Sequence, residues 1–179
     1  MKFSAIAMLA AVASAAPILK RDVPIVSFED AVASNKNINL VTSDATLPIG
    51  WNNDVLTTDQ EPITVNFIPA SSTFMKYTSD DNTKYGHIVD TATDLHLTVS
   101  SPGKASGQTI YSSEGSSSDD SGQMLQFWAL DVNSQQVRFL GAPQGADFGE
   151  GPFYPESQNE GNGLEVVLTT DQVANLVLA

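Results

Sequence analysis

DLHLTVSSPGKASGQTIYSSEGSSSDDSGQMLQFWALDVNSQQVRFLG, residues 94–141, carries three alternating apolar runs and one of the chain's two tryptophans. Leu95, Leu97 and Val99 alternate with His96 and Thr98, the period of a strand with one buried face. From Met124 to Leu130 both parities are largely apolar, which predicts a strand covered on both sides, with Trp128 in the core. Asp131 to Gln135 is a polar turn, and Val137 and Phe139 beyond it close a hairpin. Between the first and second runs, Gly115 to Gly122 is a Ser/Asp loop too polar to pack.

Working outward, the same punctuation recurs along the chain. Apolar β-type runs are expected at 23–28, 38–42, 48–51, 63–68, 73–78 and 85–89, and again at 95–99, 109–111, 124–130, 137–140 and 164–168. Turn signals separate them, among them Asn52-Asn53-Asp54, Ser79-Asp80-Asp81-Asn82, Pro102-Gly103 and Gly161-Asn162-Gly163. Only 29–34 and 170–178 have helical character, and the latter reads equally as a last strand. About a dozen short strands imply an all-β domain, a barrel of β-trefoil type or a β-sandwich.

The N-terminus reads as an address. Residues 1–16 place Lys2 before an apolar run and end in small residues, the build of a secretory signal peptide. The run is shorter than the ~20 apolar residues that span a bilayer. Residues 17–21 then form a short propeptide ending at Lys20-Arg21, a dibasic pair that resembles the processing site of fungal secretory proteases. Processing there starts the mature chain at Asp22 and leaves 22–179 as one all-β domain. The plainer alternative is that Lys20 and Arg21 are exposed basic residues.

The chain has 8 basic and 21 acidic residues, a formal charge of −13 at pH 7. All three basic residues of the leader would be lost on maturation, with no acid. Such a surface repels phosphate backbones and anionic lipid heads, so neither nucleic acid nor membrane is expected as a partner. The absence of cysteine excludes thiolate chemistry and a disulfide framework. No Asn-x-Ser/Thr sequon is present, which leaves the serines of 112–121 as the candidates for sugar attachment.

Leu95-x-Leu97-x-Val99, a Gly-containing turn, Gly107-Gln108-Thr109-Ile110-Tyr111, a polar loop and then Gln126-Phe127-Trp128 with its hairpin resembles one repeat of a ricin-type β-trefoil. In those lectins the Gln-x-Trp unit is chiefly a core element. The unit occurs once here, so the internal symmetry is weak. A second resemblance covers more of the chain. Phe28-Glu29-x-Ala31-x-Ala33-Ser34, Ile38-x-Leu40, Ala45 and Ile49-Gly50 open it. Leu95-x-Leu97, Gly107 to Tyr111 and Phe139-Leu140-Gly141-Ala142-Pro143 continue it. This order is similar to the secreted fungal IgE-binding or phialide-type cell-wall proteins. Members of that family usually place a cysteine just before the proline, where this chain has Ala142. The resemblance implies a non-catalytic protein of the cell wall or extracellular matrix, with no catalytic residues and no cofactor to carry over.

His87 and His96, with Asp90 and Asp94 between them, could supply half a metal site, but three or four converging ligands are needed and none is assigned. Asp80-Asp81-Asn82 and Asp119-Asp120 are oxygen-rich but lack calcium-loop spacing and read as solvated turn acids. No Gly-x-Ser-x-Gly elbow supports a serine triad. A small acid hydrolase would need a carboxylate pair, for which Glu114, Asp131 and Glu165 stand near apolar runs. The stronger lead is aromatic. Trp51 beside Asn52 and Asp54, and Tyr154 in the Gly/Pro-rich loop 149–155, could stack on the C–H face of a sugar while amides and carboxylates bond its hydroxyls. Trp51 also reads as a core residue. The expected partner is a cell-wall polysaccharide or other glycan.

Overall fold

The computed structural model describes residues 24–58, 60–102, 106–147, 151, 153–160 and 163–179. The leader, Lys20, Arg21, Asp22 and residues 161–162 of the expected turn lie outside them. The described residues form an all-β protein of fourteen strands. They are β1 (Ser27–Phe28), β2 (Ala33–Val41), β3 (Thr46–Pro48), β4 (Gly50–Asn52), β5 (Val55–Thr57), β6 (Thr64–Ser71) and β7 (Thr83–Asp90). The remainder are β8 (His96–Val99), β9 (Ser106–Ser113), β10 (Trp128–Asp131), β11 (Gln136–Phe139), β12 (Tyr154–Glu160), β13 (Gly163–Thr169) and β14 (Asn175–Leu178).

Six of these close a barrel. The order β6-β2-β14-β11-β10-β7 returns to its start because β7 also pairs with β6. Every pairing is antiparallel, and closure leaves the barrel wall without an edge. The other main strands form three pairs, β4–β5, β8–β9 and β12–β13. One strand of each, β5, β9 and β13, pairs with the other two.

Alternation drives the wall. Ile38 and Leu40 of β2, Val65 and Phe67 of β6, Trp128 and Leu130 of β10, and Val137 and Phe139 of β11 all point into one apolar cluster. Trp128 is fully buried; its indole N–H donates to Leu97 O at 3.1 Å and its ring lies 5.2 Å from that of Phe139. Its neighbour across β7 is Gly86. A Cβ at Gly86 would fall 2.0 Å from Ile68 O, so only glycine allows β6 and β7 to approach that closely. The β10–β11 turn forms where expected, with Asp131 Oδ1 accepting from Asn133 and Ser134 N–H at 3.0 and 2.8 Å.

Several local expectations are corrected. Met124–Leu130 is not one strand: Ser121–Leu125 is a short 3-10 helix capped by Asp120, and the strand begins at Trp128. Residues 73–75 form a turn and 76–78 are irregular, so 73–78 is not a strand, and 29–34 is not helical. Of the two readings of 170–178, the strand is the observed one, β14. Tyr154 opens β12 and does not belong to an extended loop. The loop at 115–122 does pack: Asp119 is 8% exposed, and its carboxylate accepts from Ser72 and Thr73 hydroxyls and from Thr73 and Phe74 N–H. It is not a solvated turn acid.

Candidate functional site

The inward parity of β10 and β11 leaves the other parity on the outer face. Ala129 there has Tyr85 of β7 on one side and Arg138 of β11 on the other; Asp131, two residues on, faces Thr83. Ala129 is a small floor between larger neighbours. The chain then crosses this face, because Phe153 bridges to Phe139 and packs in the core, and Tyr154 and Pro155 follow it. Gln172 and Asn175, at the entry to β14, complete the opposite side.

The result is a cavity of about 210 Å³ lined by Tyr154, Arg138, Asp131, Gln136, Gln172 and Asn175, among others. It offers an aromatic side chain, a guanidinium, a carboxylate and three amides, donors and acceptors suited to hydroxyl-rich ligands. Hydrogen bonds from Ser134 and Asn133 hold the Asp131 carboxyl below the usual carboxylate range. Asp131 therefore stays ionised in mild acid.

The four residues expected to form one glycan site are not brought together around this cavity. Tyr154 lines it; Trp51, Asn52 and Asp54 do not. They belong to the β4–β5 hairpin. Trp51 is half-buried against the main core, and its indole N–H donates to Asp90 Oδ2 at 2.8 Å. Asn52 Oδ1 accepts from Asn53, and Asp54 Oδ1 from Ser112 Oγ. Glu114 follows the end of β9 and is exposed, and Glu165 pairs with Thr57 of β5. Asp131 is the one carboxylate among the described lining residues of the cavity.

A second cluster of polar side chains lies on the β7–β8 side. His87 and His96 do occupy successive strands, and their Nδ1 atoms are 2.9 Å apart. His87 Nε2 is 2.8 Å from Gln123 Oε1. Burial pushes the His87 imidazole down to about 4, against a smaller opposing effect of the Gln123 bond. Burial also lowers His96, with Asp94 acting in the other direction. Gln126 is buried beside them; its amide donates to Thr98 Oγ1, Ser113 Oγ and Glu114 O and accepts from Ser116 N–H. Gln126 belongs to the Gln-x-Trp unit expected in the core, and it is buried; Gln123 was missed as a structural residue. Their i, i+3 spacing puts both on one face of a 3-10 turn, a signal visible in SGQMLQ once that helix type is considered. Among the described residues, no group of three or more His, Asp, Glu or Cys side chains is placed to hold a metal ion. No described helix is long and apolar enough to cross a membrane, which says nothing about a β-barrel.

Comparison of the chain with family models, with curated proteins and with solved structures gives no match.

Proposed function

We propose that this is a secreted, non-catalytic protein of the cell wall or extracellular matrix that binds a polysaccharide in the Tyr154 cavity. The observation that carries the reading is the composition of that cavity: one accessible aromatic ring with amides, a guanidinium and a carboxylate around a small Ala129 floor. Sugars are held by this pairing of a stacking face with converging hydrogen-bond groups. The leader at 1–16 with Lys20-Arg21, and the resemblance to fungal wall proteins, supply the compartment.

We also read the fold as a β-trefoil. A six-stranded barrel with three strand pairs, whose inner members β5, β9 and β13 all pair with one another, is the arrangement that three repeats of a four-stranded unit would produce. The sandwich alternative would require two separate sheets packed face to face. The hydrolase alternative would require a second carboxylate across the cavity from Asp131.

The test uses protein collected from the culture medium, where its first residue should be Asp22. Wild type and Tyr154→Ala are compared on a panel of soluble wall polysaccharides and on insoluble wall material. Tyr154→Ala should melt as the wild type does and bind about tenfold more weakly, the equivalent of about 1.4 kcal/mol. Equal retention of both proteins, or binding by neither, would refute the assignment of this cavity.

A further inference from the structure

Two backbone carbonyls fix the hydrogen-bond polarity around His87. Gln123 Nε2 is 2.9 Å from Ser116 O and 2.8 Å from Ser118 O, both carbonyls, which only accept. The amide is thereby oriented with Oε1 toward His87 Nε2. Oε1 also only accepts, so Nε2 of His87 carries the proton. Neutral His87 then has a bare Nδ1, and His96 Nδ1, 2.9 Å away, must donate to it. Neutral His96 is therefore the Nδ1–H tautomer, with its lone pair on Nε2. That nitrogen faces the backbone of Gly115, where a Cβ would lie 2.1 Å from it.

Two protons added in turn have different consequences. The first goes to His96 Nε2 and leaves the Nδ1–H of His96 still donating to His87, now as a charge-assisted bond. The second can go only to His87 Nδ1. It would set two N–H groups and two like charges against each other at a separation of 2.9 Å. His87 is 0% exposed, so no solvent relieves that repulsion.

The cover over His87 is made of two segments tied to each other. Phe28 of β1 lies edge-on to the imidazole with ring centres 5.0 Å apart, and Gln123 and Phe127 close the other sides. Val26 N–H donates to Ser117 O at 2.9 Å, Asp119 N–H donates to Pro24 O at 2.8 Å, and Ile25 bridges to Ser118. We infer that the His87–His96 pair is an acid-operated latch, in which protonation of His87 releases residues 24–28 and 115–126 together and opens the small cluster of Val26, Ala70, Met75 and Phe127 to solvent.

The charged group acting on the pair is Asp94, in the β7–β8 turn, which favours the first proton on His96. Gly115, Ser116, Ser118 and Gln123 on the loop side, Phe28 on the strap and Phe127 before β10 bring no titratable group. Glu29 and Glu114 are exposed, and Asp120 caps the 3-10 helix. The Asp119 carboxylate is engaged with Ser72, Thr73 and Phe74. Desolvation pushes the Asp119 carboxyl up, and its hydrogen bonds outweigh this and hold it below the usual range.

The sign follows from the direction of the His87 shift. Its folded value, about 4, lies below the ordinary 6.5, so the closed state is fully favoured above 6.5 and weakens as the pH falls toward 4. Across that window opening becomes about 300-fold more favourable, the ratio of the two proton affinities. Asp119 works in the same direction, but only at lower pH.

The experiment is nuclear magnetic resonance on the full secreted chain. At pH 7.5 the ring nitrogens should show the proton on Nε2 of His87 and on Nδ1 of His96. Amide exchange at Val26, Asp119 and Gln123 is then followed from pH 7.5 to 3.5, corrected for the intrinsic pH dependence of exchange and referred to Leu130 and Val137 in the barrel. Protection should start to fall below about 6.5, with a share from His96, whose imidazole burial also lowers, and should lose about 300-fold relative to the barrel through His87 as the pH approaches 4. In His87→Gln the 300-fold share of that loss should vanish, leaving the share of His96 and the lower-pH step of Asp119. A proton on Nε2 of neutral His96, strap amides that follow the barrel throughout, or a His87→Gln variant that opens at the wild-type pH would each overturn the latch. Should His87→Gln fail to fold, the tautomers and the wild-type exchange profile decide it.

Discussion

The β10–β11 hairpin and the segment 113–126 are adjacent in the chain and are held in opposite ways. In the hairpin, Trp128, Leu130, Val137 and Phe139 are buried apolar groups, and the polar residues between them point outward. In the segment, Asp119, Gln123 and Gln126 are the buried residues, and each is fixed by bonds to backbone atoms or hydroxyls. The hairpin gains from removing apolar area from water, a term indifferent to pH. The segment gains little net from each bond but would lose heavily if a buried donor or acceptor were orphaned. One region is stable by accumulation, the other by completeness.

The largest effect should come from the hairpin. Trp128→Ala removes a fully buried indole and leaves Leu97 O without its donor. Truncations of this kind cost ~3–5 kcal/mol, a large share of the ~5–15 kcal/mol available to a domain. Urea unfolding should show that loss, or no folded protein at all. A variant as stable as the wild type would mean that the wall is not held by burial, and the contrast would collapse.

Gln126→Ala should do less, and do it locally. The side chain vanishes from between Ser116 N–H, Glu114 O and the hydroxyls of Thr98 and Ser113. The two hydroxyls still lie 2.7 Å apart, and Ser113 Oγ also lies 3.3 Å from Glu114 O, which leaves Ser116 N–H as the orphan. The expected cost is ~1–3 kcal/mol, with amide exchange quickened over 113–118 and unchanged in β10 and β11. If the whole domain loosened equally, the segment would be part of the barrel's cooperative unit and not a separate cover on it.

This contrast also explains what the sequence revealed. Alternation at Leu95–Val99 and across the 131–135 turn is a local signal, and so the all-β class, the hairpin and the burial of Trp128 could be read. The register, Trp128 against Gly86 and Phe139, puts the outward residues Ala129, Asp131 and Arg138 on one face, but that face becomes a cavity only when Tyr154 crosses it. Tyr154 itself was legible as an aromatic near polar turns. Its partners were not, because Asp131, Arg138 and Asn175 are distant in sequence. Residues 73–78 were misread for the same reason: the amides of Thr73 and Phe74 are taken by Asp119, more than forty residues later. β12 carries no alternating apolar pattern and exists through its ladder to β13. Likewise His87 and His96 could be placed on neighbouring strands, but not their shared bond or Gln123 beneath it.

The smallest effect tests the rule of completeness where it fails. Thr57 of β5 is 3% exposed, and its Oγ1 has no hydrogen-bond partner among the described residues; the same holds for Thr58 Oγ1. Thr57 stands where β5 meets β4 and β13, paired with Gly50 and Glu165. A buried hydroxyl left unbonded costs roughly 1–3 kcal/mol on protein scales. Valine has the same branched shape without the polar atom, so Thr57→Val removes that cost and adds only a small packing change. The variant should match the wild type or gain up to about 1 kcal/mol, well below the effect at Gln126 and opposite in sign. Thermal unfolding at fixed pH would register it as a slightly raised midpoint. A loss of more than about 1 kcal/mol would show that the Thr57 hydroxyl is bonded after all. The strands β5, β9 and β13 would then be held as the 113–126 segment is, by polar completeness, and the division between the two regions would have to be redrawn through the middle of the sheet.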